Sequence, residues 1–165
     1  MSNTSAKKQD AVEQALRLAI HYHAGQRDKE GECYMLHLLR VMLACSTPEA
    51  MQVAVLHDAL EDTSATAEEL RAAGISPEVV EAVSLLSKPE NMRYEDYVIR
   101  LSSNELARQV KIADIQDNYR IHRVAYRQEH RHEDRQRIER YILSHQFLAG
   151  KLDQDEYLAR VASVD

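Results

Sequence analysis

Three observations predict an all-α protein. The 165 residues are rich in Ala, Leu, Glu, Arg and Gln, which favour helices, and include only four Gly and three Pro. Alternating runs of Val, Ile and Thr, which are typical of strands, are absent from the sequence. Apolar residues recur at helical spacing instead, and a chain of this length can bury a sizeable core in one domain. The sequence therefore predicts a single helical bundle.

Capping signals place the individual helices. Ser, Thr, Asp or Asn precedes most of the apolar segments, as expected of N-caps, and Gly or Pro follows several of them. The expected N-caps are Asp10, Thr47, Thr66, Ser76, Asn104 and Asp153. The predicted helices before the last one span 10–23, 37–44, 48–63, 67–74, 77–86, 94–101, 105–120 and 138–148. Residues 1–9 are polar and are expected to be flexible, which leaves 10–165 as the domain.

One stretch, HDALEDT at 57–63, carries most of the functional information. The residues before it are mostly apolar, so we expect it to continue a largely buried helix. Side chains four positions apart share a helix face, which would bring His57 near Glu61 and Asp58 near Asp62. Burying several carboxylates is costly, and a bound cation is the usual remedy. Taken alone, the stretch could equally be a solvated helix end.

Two further segments supply residues of the same chemistry. His37 opens an apolar helix twenty residues before His57, although a lone His in such a place is more often a core residue than a ligand. Asp114 stands between Ala113 and Ile115, in an apolar setting where a carboxylate needs a partner. The two segments favour a shared site over a solvated helix end.

Together these segments resemble the HD metal-dependent phosphohydrolases. The HDALEDT stretch resembles a smaller group within these enzymes. It is similar to the hydrolase domain of the RelA/SpoT alarmone enzymes, in its stand-alone small form. The segment VKIADIQDN at 110–118 and part of the loop at 23–37 match the same family, so that the resemblance covers roughly residues 20–122. It implies an HD-domain helical bundle with a metal site between the central helices.

The resemblance also implies a set of site residues. Its metal ligands are His37, His57, Asp58 and Asp114. Its catalytic acids are Glu61 and Asp62, and the substrate-binding candidates are Gln26, Arg27, Lys29, Lys111 and Asn118. Nitrogen and oxygen ligands without thiolate suit Mn²⁺ or Fe²⁺, with Mg²⁺ or Zn²⁺ as further alternatives. The resemblance points to one Mn²⁺ per site.

The activity implied is hydrolysis of the 3′-pyrophosphate of a nucleotide alarmone, (p)ppGpp or (p)ppApp. The products are pyrophosphate and the nucleoside 5′-di- or triphosphate. Guanine and adenine both stay open, because Asp28 stands where the family has the Arg that stacks on the base. Arg27 beside it is the candidate to replace that Arg. Asp117 and Ile121 replace a His and a Thr of the family, and we expect both positions near the nucleotide.

Two other functions are compatible with the sequence. One is an HD phosphohydrolase, a nucleotidase or a nucleotide pyrophosphatase, that acts on another small nucleotide. The other is a non-catalytic module that binds a nucleotide and reports it to a partner. A requirement for a 3′-phosphate chain separates the first from an alarmone hydrolase, and turnover separates the second.

The composition narrows the partners and the compartment. A net charge of −6 disfavours a nucleic-acid polymer as the partner. The sequence has no segment apolar enough for a signal peptide or a membrane span, and its two Cys are too far apart for a Cys-x-x-Cys motif. We expect a cytoplasmic protein with a small-molecule nucleotide as substrate and no membrane partner. A homo-oligomer is compatible with these observations.

The segment 120–140 is crowded with Arg and His, interleaved with Glu and Asp. Such a pattern is most often a salt-bridged, exposed helix. The alternative is a basic rim that draws in a highly charged substrate.

Overall fold

The computed structural model of the protein describes residues 2–29, 31–120, 129 and 131–164, with residues 2–8 described by their backbone. The described residues form ten helices and no strand, which confirms the predicted all-α class. They contain one isolated bridge, between Arg27 and Cys33. None of these helices combines the length and the apolar character needed to cross a bilayer. The helices are α1 (Ser2–Tyr22), α2 (Tyr34–Leu43), α3 (Pro48–Leu56), α4 (Ala59–Asp62), α5 (Ala67–Ala72), α6 (Pro77–Leu86), α7 (Tyr94–Ser102), α8 (Glu105–Asn118), α9 (Arg131–Leu148) and α10 (Gln154–Val161).

Two helices, α3 and α8, occupy the centre of the bundle. α3 packs against α1, α2, α6 and α8, and it is apolar on nearly all sides because neighbours enclose it. α8 packs against α2, α3, α6, α7 and α9. His57 follows directly on α3, and Asp114 lies on α8. The packing of the core therefore brings the predicted metal ligands together between central helices.

Side-chain caps begin most of the predicted helices. Each capping oxygen accepts a hydrogen bond from the backbone N–H three residues further on, which satisfies one of the free donors at the helix start. The residues that do so are Thr47, Ser76, Asn104 and Asp153. Thr66, another predicted N-cap, forms a capping box with Glu69 at the start of α5. These N-caps, predicted from local chemistry alone, are confirmed.

The starts of α1 and α2 differ from the prediction. α1 begins at Ser2, so that Asp10 lies inside the helix and is not its N-cap. The residues just before Asp10 include Ala, Lys and Gln, which are good helix formers and extend the helix towards the N-terminus. α2 begins at Tyr34, three residues before the predicted start, because Tyr34 and Met35 already pack on the core. The flexibility of residues 1–9 stays a prediction.

The predicted uninterrupted helix over 48–63 is wrong. α3 ends at Leu56 and α4 begins at Ala59, with a turn between them. In a continuous helix the carbonyl of Ala54 accepts the backbone N–H of Asp58. Here the imidazole Nδ1–H of His57 donates to that carbonyl at 2.8 Å. This competition between side chain and backbone accounts for the break between α3 and α4, where His57 is buried.

The Arg- and His-rich segment 120–140 is only partly covered by the structure. Residues 121–128 and 130 lie outside the described residues, and with them part of the predicted salt-bridged helix or basic rim. From Arg131 onwards the segment belongs to α9. There Arg137 pairs with the buried Asp134 at 3.1 Å.

Candidate metal centre and its cavity

The predicted site residues converge on a cavity of about 600 Å³. It is bounded by the loop before α2, by α4, and by parts of α8 and α9. The predicted residues that line it are Gln26, Arg27, Lys29, His37, Asp58, Glu61, Asp62, Lys111, Asp114 and Asn118. The remaining predicted ligand, His57, is 2% exposed and lies beside Asp58. Sequence reasoning did not assign the other lining residues to the site: Asp28, Tyr34, Tyr119, Arg137, Ile138 and Tyr141.

Both candidate imidazole ligands are oriented through Nδ1. His57 Nδ1 lies 2.8 Å from the carbonyl oxygen of Ala54, and because a carbonyl only accepts, Nδ1 carries the proton. His37 Nδ1 lies 2.8 Å from Asp117 Oδ2, which accepts in the same way. In the neutral rings, Nε2 of each His is then left as the free ligand atom. This is the orientation that metal-bound histidines usually show.

Two carboxylates face these ring nitrogens. His57 Nε2 lies 3.0 Å from Asp58 Oδ2, without hydrogen-bond geometry, and it has no hydrogen-bond partner among the described residues. Asp114 Oδ1 lies 3.3 Å from His37 Nε2 and 3.7 Å from His57 Nε2. The ligand atoms of His37, His57 and Asp58 all lie within 4.8 Å of one another. These three residues could hold a metal ion, and the orphaned buried nitrogen fits that role.

The charges of the centre shift the pKa values of its groups. Burial lowers the pKa of His57, but Asp58 and Asp114 outweigh burial and raise that pKa well above its usual value. Burial also lowers the pKa of His37, and hydrogen bonds to carboxylates outweigh it and raise that pKa. For Asp114, burial raises the pKa, but its cationic neighbours hold it well below the usual value. The centre therefore favours positive charge, whether protons or a cation.

Lys111 and Asn118, predicted to bind substrate, both contact Asp114. Lys111 Nζ lies 2.9 Å from Asp114 Oδ2, and Asn118 Nδ2 donates to Asp114 Oδ1 at 2.6 Å. Lys111 Nζ also lies 5.4 Å from the centre of the Tyr97 ring, at the distance of a cation–π contact. Both side chains line the cavity and at the same time fix the orientation of a candidate metal ligand.

The two predicted catalytic acids lie at the cavity wall in different environments. Glu61 Oε2 accepts the backbone N–H of Lys88 at 2.8 Å, which fixes one side of its carboxylate. The hydroxyl of Tyr34 lies 2.5 Å from Asp58 Oδ2 and 3.3 Å from Asp62 Oδ2. Burial and the charge of Asp58 raise the pKa of Asp62, while the Tyr34 hydrogen bond opposes them. Asp62 is thus better suited than an ordinary carboxylate to carry a proton.

Tyr34 is a site residue that sequence reasoning missed. Its ring stacks on the buried imidazole of His23 at a centre-to-centre distance of 5.3 Å, and its hydroxyl joins Asp58 to Asp62. The only signal in the sequence was its match to a family Tyr in the loop at 23–37. A match of that kind gave no partner for the hydroxyl, since the two carboxylates lie more than twenty residues away.

The sequence predicted that Asp117 lies near the nucleotide, and this prediction was wrong. Asp117 is 4% exposed and contacts His37 and Arg40 of α2, so it lies behind a candidate metal ligand and does not line the cavity. The family's His at this position gave no indication of such a contact. Ile121, the other departure expected near the nucleotide, lies outside the described residues.

The loop before α2 uses several predicted binding groups for its own structure. Asp28 Oδ1 accepts the backbone N–H of Glu32 at 2.8 Å, and Arg27 Nη1 donates to the carbonyl of Gly31 at 2.8 Å. Gly31 has a φ of +84°, which the tight loop requires and which favours Gly. Gln26 Oε1 lies 2.6 Å from His23 Nδ1. Asp28 therefore stabilises the loop at the position where the family has its base-stacking Arg.

The chain is similar in sequence to two longer proteins. No family model matches the chain. It is 30% identical to the guanosine-3′,5′-bis(diphosphate) 3′-pyrophosphohydrolase of Vibrio cholerae over 112 residues. This match covers 66% of the present chain and 16% of the Vibrio protein. The chain is 28% identical to the GTP pyrophosphokinase of Streptomyces coelicolor over 144 residues. This match covers 79% of the present chain and 17% of the Streptomyces protein. The chain thus spans less than a fifth of each relative.

The fold is similar to a solved structure described as "A metazoan ortholog of SpoT hydrolyzes ppGpp and plays a role in starvation responses". The TM-score is 0.67, the identity is 20%, and the match covers 93% of both chains. At this identity the likeness concerns the fold. Unlike the two longer relatives, this neighbour matches the present chain over nearly its whole length.

Proposed function

We propose, from the premise that this chain forms an HD-type domain like that of the RelA/SpoT hydrolases, that it is a metal-dependent alarmone hydrolase. It would remove the 3′-pyrophosphate of (p)ppGpp or (p)ppApp and leave the nucleoside 5′-di- or triphosphate. The observation that carries the proposal is the cluster of His37, His57 and Asp58, with the orphaned Nε2 of His57, beside a cavity lined by two further acids. The name of the Vibrio cholerae relative and the description of the structural neighbour, which both state ppGpp hydrolysis for those proteins, support it.

Mn²⁺ is the proposed cation. His37, His57, Asp58 and Asp114 would hold it, and ligands of nitrogen and oxygen without thiolate suit this ion. When bound, the ion would supply a Lewis acid that polarises the phosphoryl group and makes a water molecule more acidic. Lys111 and Asn118 support the site by orienting the carboxylate of Asp114.

The two acids divide the proton transfers of hydrolysis. Water attacks the phosphorus that is bound to the ribose 3′-oxygen, the P–O bond to that oxygen breaks, and the oxygen takes up a proton. Glu61, oriented by the Lys88 N–H, would accept the proton that the water loses. Asp62, whose pKa is raised, would donate the proton to the leaving 3′-oxygen. Each role needs one carboxylate at the cavity wall, and Glu61 and Asp62 both line the cavity.

Cationic side chains at the cavity suit a substrate with many phosphates. Arg27, Lys29 and Arg137 all line it, and each could pair with a phosphate oxygen. These cations do not decide which nucleobase is recognised, because Asp28 offers a carboxylate where a guanidinium would be needed to stack on the base. We therefore propose alarmone hydrolysis with guanine or adenine as the base, and the assay assigns which of the two.

The test is pyrophosphate release from (p)ppGpp and from (p)ppApp, with Mn²⁺ and with EDTA. Glu61→Gln removes the proton acceptor with little change in size, and Glu81→Gln, an exposed acid on α6, is the matched control. We expect turnover with Mn²⁺ by the natural protein and by Glu81→Gln, and its loss with EDTA and in Glu61→Gln.

Three outcomes would contradict the proposal. Hydrolysis of nucleotides that lack a 3′-phosphate chain, with none of the alarmones, would indicate a nucleotidase or nucleotide pyrophosphatase. Binding of an alarmone without turnover would indicate a regulatory module. Full activity in EDTA would exclude the metal-dependent mechanism.

A further inference from the structure

Asp117 joins the first turn of α2 to the end of α8 behind the candidate metal centre. Its side chain is 3% exposed, and Oδ2 lies 2.8 Å from His37 Nδ1. Oδ1 of the same carboxylate lies 2.8 Å from Arg40 Nε. One carboxylate thus accepts from two donors that stand one turn apart on α2. It approaches the imidazole from the side opposite the candidate metal ligands.

The partners of Asp117 hold its carboxylate in a fixed orientation. His37 and Arg40 each donate to a different oxygen of this buried group, and a carboxylate oxygen can only accept. Arg120 Nε lies 3.4 Å from Oδ1 and adds a second guanidinium on that side. With Oδ1 occupied by arginine, Oδ2 is directed at the imidazole.

We infer that Asp117 is a positioning residue for the metal, acting through His37. A carboxylate acceptor 2.8 Å from Nδ1 keeps the proton on that nitrogen, so that the neutral ring offers the Nε2 lone pair to the centre. It also makes the imidazole a more basic ligand. The inference rests on the proposed function in one respect: that a metal ion binds at His37.

The other imidazole of the centre shows why Asp117 is the informative residue. His57 Nδ1 donates to the backbone carbonyl of Ala54, which no substitution can remove. His37 depends on a side chain from another helix, and that side chain can be changed. Arg40 provides the matched variant, because it donates to Oδ1 of the same carboxylate while His37 faces Oδ2.

The decisive variant is Asp117→Asn. The amide has nearly the same shape, but its NH₂ group can donate to Nδ1, which places the imidazole proton on Nε2 and blocks the ligand atom. Arg40→Gln removes the ion pair and leaves the acceptor at Nδ1 in place. A role in ion pairing alone predicts similar effects of the two variants on metal binding. A positioning role predicts a much larger effect of Asp117→Asn.

The experiment measures Mn²⁺ affinity of the metal-free full chain by competition with a chelator of known affinity. We expect Asp117→Asn to weaken Mn²⁺ binding by roughly 10- to 100-fold, as is usual for the partners of metal-bound histidines. Arg40→Gln should weaken it less. Unchanged affinity in a folded Asp117→Asn, or equal losses in both variants, would overturn the inference.

A second measurement needs no variant. Long-range ¹H–¹⁵N spectra of the metal-free natural protein, at a pH where His37 is neutral, show which ring nitrogen carries the proton. We expect Nδ1, and a proton on Nε2 would overturn the inference even if Asp117→Asn fails to fold. Mn²⁺ binding without alarmone turnover would defeat the proposed function but leave this inference standing. A natural protein that binds no Mn²⁺ would overturn both.

Discussion

Lys111 and Asp114 form a buried ion pair one turn apart on α8, with Nζ 2.9 Å from Oδ2. Burial lowers the pKa of Lys111, but the charge of Asp114 outweighs it and raises that pKa well above its usual value. Both partners are therefore ionised. This ammonium group lies beside the candidate metal ligand that also faces the two imidazoles, so it provides positive charge at the centre before any metal binds.

Removing that ammonium group should lower the free energy of unfolding, and the loss should be larger without a metal. Lys111→Met leaves the buried carboxylate of Asp114 without its ion-pair partner, which typically costs about 3–5 kcal/mol. Saturating Mn²⁺ should recover part of the loss, because the cation faces the same carboxylate. The measurement is urea unfolding in EDTA and in Mn²⁺, with the exposed Lys151→Met as the control. A loss of the same size under both conditions would show that no cation shares the charge of Asp114.

His57 should be essential for metal binding. His57→Ala removes a ligand atom, and since loss of an outer partner alone costs roughly 10- to 100-fold, we expect a loss of at least about 100-fold in Mn²⁺ affinity. The control is His145→Ala, because His145 pairs with Gln116 and does not line the cavity. Titration calorimetry of both variants would measure the difference. Equal affinities would remove His57 from the ligand set.

The raised pKa values of His37 and His57 predict how stability changes with pH. A group whose pKa is raised on folding stabilises the metal-free protein below its ordinary value, which is about 6.5 for His. That contribution is lost as the pH rises through the raised pKa. The free energy of unfolding in EDTA should therefore decline as the pH rises above about 6.5.

The stabilisation of the protein by Mn²⁺ should increase with pH over the same range, opposite to the trend without a metal. The ion needs unprotonated imidazoles, so its binding releases protons and strengthens as the pH rises. Thermal melts with EDTA and with Mn²⁺ at several pH values test both trends together. We expect the rise in melting temperature caused by Mn²⁺ to grow with pH, and to lose this dependence in His57→Ala. A rise that does not change with pH would contradict the assignment of the imidazoles as ligands.

Tyr34→Phe should slow turnover while the fold is preserved. The Phe ring can still stack on His23, but the hydrogen bonds to Asp58 and Asp62 are lost. Hydrogen bonds to charged groups are worth about 1.5–3 kcal/mol, so we expect kcat to fall by roughly tenfold or more. The Tyr34 hydrogen bond lowers the pKa of Asp62, and its removal should raise that pKa.

The pH dependence of kcat distinguishes this role of Tyr34 from a purely structural one. If Asp62 donates a proton, the limb on which activity falls with rising pH should move to higher pH in Tyr34→Phe. Tyr22→Phe is the control: it removes a hydroxyl 3.5 Å from the exposed Glu69 of α5, neither residue lines the cavity, and it should change neither kcat nor the profile. A lower kcat with an unmoved profile would argue against Asp62 as the acid.

Local chemistry made much of the fold predictable. Thr47, Ser76 and Asn104 begin their helices as expected, because an N-cap and the N–H that it accepts are only three residues apart. The same local reasoning failed at His57. Its apolar approach favoured a continuing helix, whereas the competition for the Ala54 carbonyl depends on how the imidazole turns in the packed core.

By itself, the sequence determined the helical class, most of the helix starts and the kinds of side chain that meet in the cavity. Only the tertiary structure decided which atoms of those side chains are free. His37 and Asp117 are 80 residues apart, and Tyr34 and Asp58 are 24 apart, so neither hydrogen bond leaves a local signal. They form because α2 packs against α3 and α8. That packing brings buried polar groups to the partners they need, and it thereby sets the orientation of the candidate metal ligands.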